Sequence, residues 1–125
     1  REMDFETPPG GRPTLNSFVL WTAIQRGLHG ANLWIPIPFY LVDTDDPTAQ
    51  KTVLEFLDNR LDLHFNFARI DSEIIRQYSR IARLRREQPD IDRSIGKLES
   101  NLTLTETEHE TLVKAVEECL NKGGD

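Results

Sequence analysis

The stretch FARIDSEIIRQYSRIARLRRE, Phe67 to Glu87, decides how this chain folds. Phe67, Ile70, Ile74, Tyr78 and Ile81 recur at spacings of three and four. At about 100° per residue they fall on one stripe of a helix. Arg69, Arg76, Arg80 and Arg83 gather on the opposite side, within roughly 60° of one another. One flank therefore asks for a hydrophobic partner, and the other presents guanidinium groups to water or to an anion. The pattern predicts one uninterrupted, two-sided helix.

Downstream, Gln88-Pro89-Asp90 reads as a stop and a fresh start. Ile91, Ile95 and Leu98 then share one face of a short helix, which Gly96 weakens by about 1 kcal/mol relative to alanine. Thr105-Glu106-Thr107-Glu108 fits a capping box. It opens a last helix whose face is Leu112, Val113, Ala115, Val116, Cys119 and Leu120, with Gly123-Gly124 as its end.

Upstream, Leu61 to Phe67 alternates apolar and polar residues, a strand signal that competes with a tight corner joining two helices. Asp46-Pro47 marks a helix start, with Asp as N-cap and Pro at the first helical position. Val53, Leu54, Phe56, Leu57 and Leu61 predict a broad buried face for that helix, which should end near Asn59 or Arg60. The run Leu33–Val42 is the most hydrophobic of the chain. Pro36 and Pro38 keep it from being a regular helix or a central strand. Residues 33–38 should be extended, and 39–42 suit a short strand. Leu15, Phe18, Val19, Ala23 and Ile24 give a first helical face. Asn16 or Ser17 would cap that helix, Gly27 or Gly30 would end it, and Trp21 is expected in its core. Residues 1–13, with three prolines and two glycines among charges, read as a flexible arm.

The expected architecture is a mainly α, compact domain of four or five helices over residues 14–125, with one Pro-interrupted extended segment. The alternative is a small α+β fold with strands near 39–42, 61–67 and 102–105.

Charged residues make up 29% and hydrophobic ones 38%, which fits a globular chain rather than a disordered one. The net charge of −6 sets a field that repels nucleic acid and anionic membranes. The balance is uneven, because residues 67–88 carry a net +3 between acidic flanks. Cys119 is the single cysteine, so no intrachain disulfide forms, and a cytoplasmic or other reducing compartment is the simplest home. No run approaches a membrane span and no signal-peptide pattern opens the chain. Arg1 rather than Met fits a processed product or an excised domain.

Three candidate sites follow. Arginines one turn apart grip carboxylates of an acidic protein or phosphates of a nucleic acid. Glu73 and Glu87, on the same face, offer them partners at helical spacing. Trp34, Phe39 and Tyr40, beside two prolines, suit either recognition or core burial. The acidic loop Asp43-Thr44-Asp45-Asp46 follows a hydrophobic run, where an Asp-x-Asp could bind a divalent ion or attack a phosphoryl group. That stretch resembles the Asp-x-Asp of haloacid-dehalogenase-like phosphatases, and departs from it at Pro47, where the motif has Thr or Val. His29, His64 and His109 are isolated and Cys119 stands alone, so no zinc spacing is present.

The expected role is a non-catalytic protein-interaction or assembly module without a cofactor. It would bind a protein partner or a second copy through Arg69, Arg76, Arg80, Arg83, Trp34, Phe39 and Tyr40. The alternatives are a nucleic-acid-associated factor using the arginine face, and a metal-dependent phosphoryl-transfer enzyme centred on residues 43–46.

Overall fold

The structure, a computed structural model, describes residues 14–121. The expected arm over residues 1–13 and the Gly123-Gly124 stop lie outside the described residues. The chain divides into two compact units, Arg1–Trp34 and Ile35–Asp125.

The first unit holds α1, Leu15–Gln25. Its N-cap is Thr14, two or three residues earlier than Asn16 or Ser17 would suggest, and the Thr14 hydroxyl accepts from the Ser17 amide at 3.2 Å. Gly27, at φ +72°, ends it. The amides of Gly27 and Leu28 fold back onto the carbonyls of Ile24 and Ala23, closing the left-handed stop that glycine favours. Trp21, expected in the core, is exposed, and α1 buries no residue.

The second unit runs through a 3-10 turn, Phe39–Leu41, then α2 (Pro47–Leu61), α3 (Ala68–Glu87), α4 (Pro89–Glu99) and α5 (Glu106–Asn121). The mainly α expectation holds. The strand alternative fails at all three places, for one physical reason: the backbone donors are taken locally. The Leu41 amide bonds to the Pro38 carbonyl and Val42 to Phe39, closing a turn over 39–42. Between α2 and α3, Phe65 donates its amide to Asp58 Oδ1 at 2.7 Å and Ala68 to Asn66 Oδ1 at 2.9 Å. Asp62, at φ 54°, turns the chain out of α2. Near 102–105, the Leu102 amide bonds to the Lys97 carbonyl and the Thr105 amide to Glu108 Oε2.

The core of this unit is Leu41, Leu84, Ile91, Ile95, Leu112 and Val116. It gathers the C-terminal half of α3, α4, α5 and the 3-10 turn. α2 packs on α3, and its Val53, Leu54, Phe56 and Leu57 are only half-buried, where a broad buried face was expected. Leu61 is exposed. The expected helix signals hold: Asp46 Oδ1 accepts the amides of Thr48 and Ala49, Pro89 begins α4, and Thr105 and Glu108 exchange bonds at the start of α5.

Candidate docking surfaces

α3 is unbroken over twenty residues, so its two flanks are continuous surfaces. On the apolar flank, Phe67, Ile70, Ile74 and Ile81 are half-buried and Leu84 is fully buried. Tyr78 departs from the expected stripe, being 62% exposed. Charged side chains lock this flank to its neighbours. Arg85 donates to Asp92 at 2.6 Å and to Glu99 at 2.6 and 3.3 Å, clamping α3 to α4. Those bonds raise the Arg85 pKa and hold the Glu99 carboxyl below the usual carboxylate range. Lys51 reaches Asp71 at 2.7 Å from α2, and that hydrogen bond raises its pKa.

The arginine flank presents a more divided picture. Arg69 is exposed and pairs with Glu73 at 3.3 Å, while Arg83 pairs with Glu87 at 3.9 Å. Exposed pairs of this kind contribute about 0–1 kcal/mol each and leave the guanidinium groups accessible. Arg76 is exposed as well. Arg80 is different: it is half-buried, and its Nη1 donates to the Leu120 carbonyl at 3.0 Å. A cation at the carbonyl end of a helix is favourable, so Arg80 joins α3 to α5. The Cys119 thiol donates in turn to the Arg80 carbonyl at 3.6 Å, packing as a small hydrophobe at that joint.

The structure brings two separately expected features to one place. Arg76 and Arg80 from α3, Asp45 from the acidic loop and Asn121 from the end of α5 line a cleft of about 210 Å³. Gln77 Nε2 donates to the Asp45 carbonyl at 2.7 Å and pins the loop against α3. The cleft mixes charges of both signs, since Glu73 and Asp45 line it together with the two arginines. Asp46 is engaged as the α2 cap. Among the described residues, no three His, Cys, Asp or Glu side chains are grouped to hold a metal ion.

The aromatic candidates separate. Phe39 and Tyr40 pack against the core, with the Phe39 ring stacked on the His109 imidazole at 4.2 Å. Burial pushes the Tyr40 hydroxyl up, with Glu99 adding to it. Trp34, in the first unit, is 59% exposed. In that same unit lies the surface that sequence reasoning missed. Leu15, Phe18, Val19, Trp21 and Ile24 are all exposed on α1, and the Phe18 and Trp21 rings lie 6.2 Å apart. The signal was present in the residues. The eleven positions of α1 contain no charge, so no solvent face is written into the helix. Among the described residues, no helix is long and apolar enough to cross a membrane. The chain matches no protein-family model, no curated protein and no solved structure.

Proposed function

We propose that the chain is a non-catalytic protein-interaction or assembly module whose leading docking element is α1. The observation that carries this reading is the exposure of Leu15, Phe18, Val19, Trp21 and Ile24, each above one half, on a helix without a charged side chain. A helix that is apolar on every side is ordinarily enclosed by protein. Fully covering one such side chain contributes roughly 1.5–3 kcal/mol, and a contiguous apolar patch marks an interaction site.

The chemistry fits a partner with an apolar, uncharged groove. A charge laid against α1 would lose water without gaining a counter-ion. Trp34 adds a second large aromatic surface in the same unit. On the other unit, Arg69, Arg76 and Arg83 supply a cationic contact suited to acidic side chains, with Arg80 held at its edge. Such exposed charges govern encounter rate and partner choice more than affinity.

A photo-crosslinking amino acid at position 18 tests this reading, with position 117, an exposed site on α5 away from every groove described, as control. Protein adducts should form at position 18, fade when Trp21→Asp is added, and stay absent at the control. Equal labelling at the two positions overturns the proposal.

A further inference from the structure

The second unit carries an apolar knob and an apolar groove on the same helix, separate from α1. Ile75 is 67% exposed near the middle of α3, although it is as apolar as the core residues. One to two turns further on, Tyr78 and Ala82 form part of the lining of a groove of about 350 Å³, which Pro36 and Pro38 also line. Beside Ile75 and Tyr78 the helix surface carries small residues, Ser72, Ser79 and Ala82, all exposed. Another helix can therefore approach closely along the small-residue side of Tyr78. The two serine hydroxyls are already bonded to carbonyls of their own helix, Ser72 to Ala68 at 2.9 Å and Ser79 to Ile75 at 2.8 Å. Drying this strip leaves neither serine hydroxyl unsatisfied.

Charge decides the occupant. Near the N-terminal end of the strip stands Asp71, whose Oδ1 takes the Lys51 ammonium of its own chain at 2.7 Å while the side chain stays 47% exposed. Near the C-terminal end stands Arg86, which is exposed and makes no ion pair among the described residues. Between them the strip is uncharged. A second copy laid antiparallel brings Asp71 of each chain opposite Arg86 of the other. Laid parallel, it would set Arg86 against Arg86. With the two-fold axis between Tyr78 and Ser79, Ile75 faces Ala82 of the second copy and sits at the mouth of that copy's groove. The surface is thus complementary to itself in shape and in charge, the requirement of a two-fold interface. Antiparallel helix dipoles add to the match.

We propose that α3 forms an antiparallel two-fold homodimer, with Ile75 of each chain seated in the Tyr78–Ala82 groove of the other. This goes beyond the α1 reading and stands without it.

Sedimentation equilibrium of the whole chain, at a range of concentrations, reads the monomer–dimer midpoint. Ile75→Glu should raise that midpoint about 30-fold or more, the size expected for an anchor residue. Its helix content should stay unchanged, since the side chain is mostly in water. Arg86→Glu and Asp71→Lys should each weaken self-association, because both ends of either homodimer become repulsive. Mixing the two variants should restore a dimer, because the introduced carboxylate then faces the introduced ammonium while the native pair survives at the other end. A chain that stays monomeric at millimolar concentration overturns the proposal. So does a dimer unaffected by Ile75→Glu, or a mixture no tighter than its parts. A dimer lost on Trp21→Asp but kept with Ile75→Glu would assign self-association to α1 instead.

Discussion

α1 and α5 carry similar loads of apolar side chains and dispose of them in opposite ways. α5 places Leu112 and Val116 one turn apart, both fully buried, and turns Glu106, Glu110 and Glu117 to water. α1 distributes Leu15, Phe18, Val19, Trp21 and Ile24 around its circumference and buries none of them. The difference teaches that apolar content does not make a core. A core needs the apolar residues confined to one side, so that a single neighbouring layer can cover them. Where no polar side is written, the helix stays a surface until something encloses it.

The sharpest way to break that comparison is to truncate one leucine in each helix. Leu112→Ala should lower the stability of the second unit by about 2–5 kcal/mol, the range for a filled core site that cannot collapse. Leu15→Ala, removing a side chain that is 76% exposed, should change stability by less than about 0.5 kcal/mol. Urea unfolding followed by far-ultraviolet circular dichroism reads the helices of the second unit. Trp21 and Trp34, the only tryptophans, report the first. Equal losses in the two variants would mean that α1 is covered as thoroughly as α5.

Most of the helix framework was legible in the chain because its signals are local. The span of α3, the Asp46-Pro47 start, the Pro89 restart and the Thr105–Glu108 box each depend on residues within one turn of each other. What covers what was less legible. Phe39 and His109 stack although seventy residues separate them, and nothing near Phe39 announces that contact. Leu84 could have been added to the stripe, since it stands three residues after Ile81 and is the one residue of α3 that becomes fully buried. Arg80 keeps the spacing of the other arginines, yet its half-burial follows from the end of α5 arriving beside it. Tyr78 keeps the helical spacing and still faces solvent, although α2 and α4 both pack against α3.

A smaller effect separates the two helices by how they are capped. Glu108 receives the Lys97 ammonium at 2.6 Å and the Thr105 amide at 2.9 Å. The Lys97 bond first, and then the Thr105 amide, lower its pKa from 4.5 to about 2. A carboxyl whose pKa falls on folding stabilises fully above its unfolded value, and that stability is lost as pH falls through the folded one. The second unit should therefore weaken progressively from about pH 4.5 toward pH 2, with Glu99 contributing in the same direction. Glu108→Gln should flatten this limb in urea titrations. α1 has no titratable side chain between Leu15 and Gln25, so Trp21 emission should stay constant wherever unit two remains folded. An acid limb identical in wild type and Glu108→Gln would remove the cap from the account.

The smallest effects come from two glycines to which space gives the same answer and backbone gives opposite ones. A methyl group built at Gly96 or at Gly27 meets no atom within 4 Å. Gly96 lies inside α4 with helical neighbours on both sides, so Gly96→Ala removes unfolded-chain freedom without a clash. It should raise the stability of the second unit by about 0.5–1 kcal/mol. Gly27 stands at φ +72°, where an L side chain crowds its own carbonyl. Gly27→Ala should loosen the α1 stop by about 1 kcal/mol, read as roughly fivefold faster exchange of the Leu28 amide, whose bond to the Ala23 carbonyl closes that stop. If both substitutions moved stability in the same direction, the left-handed closure of α1 would have to be abandoned. With it would go the reason that helix ends before Leu28 and leaves its apolar surface so short.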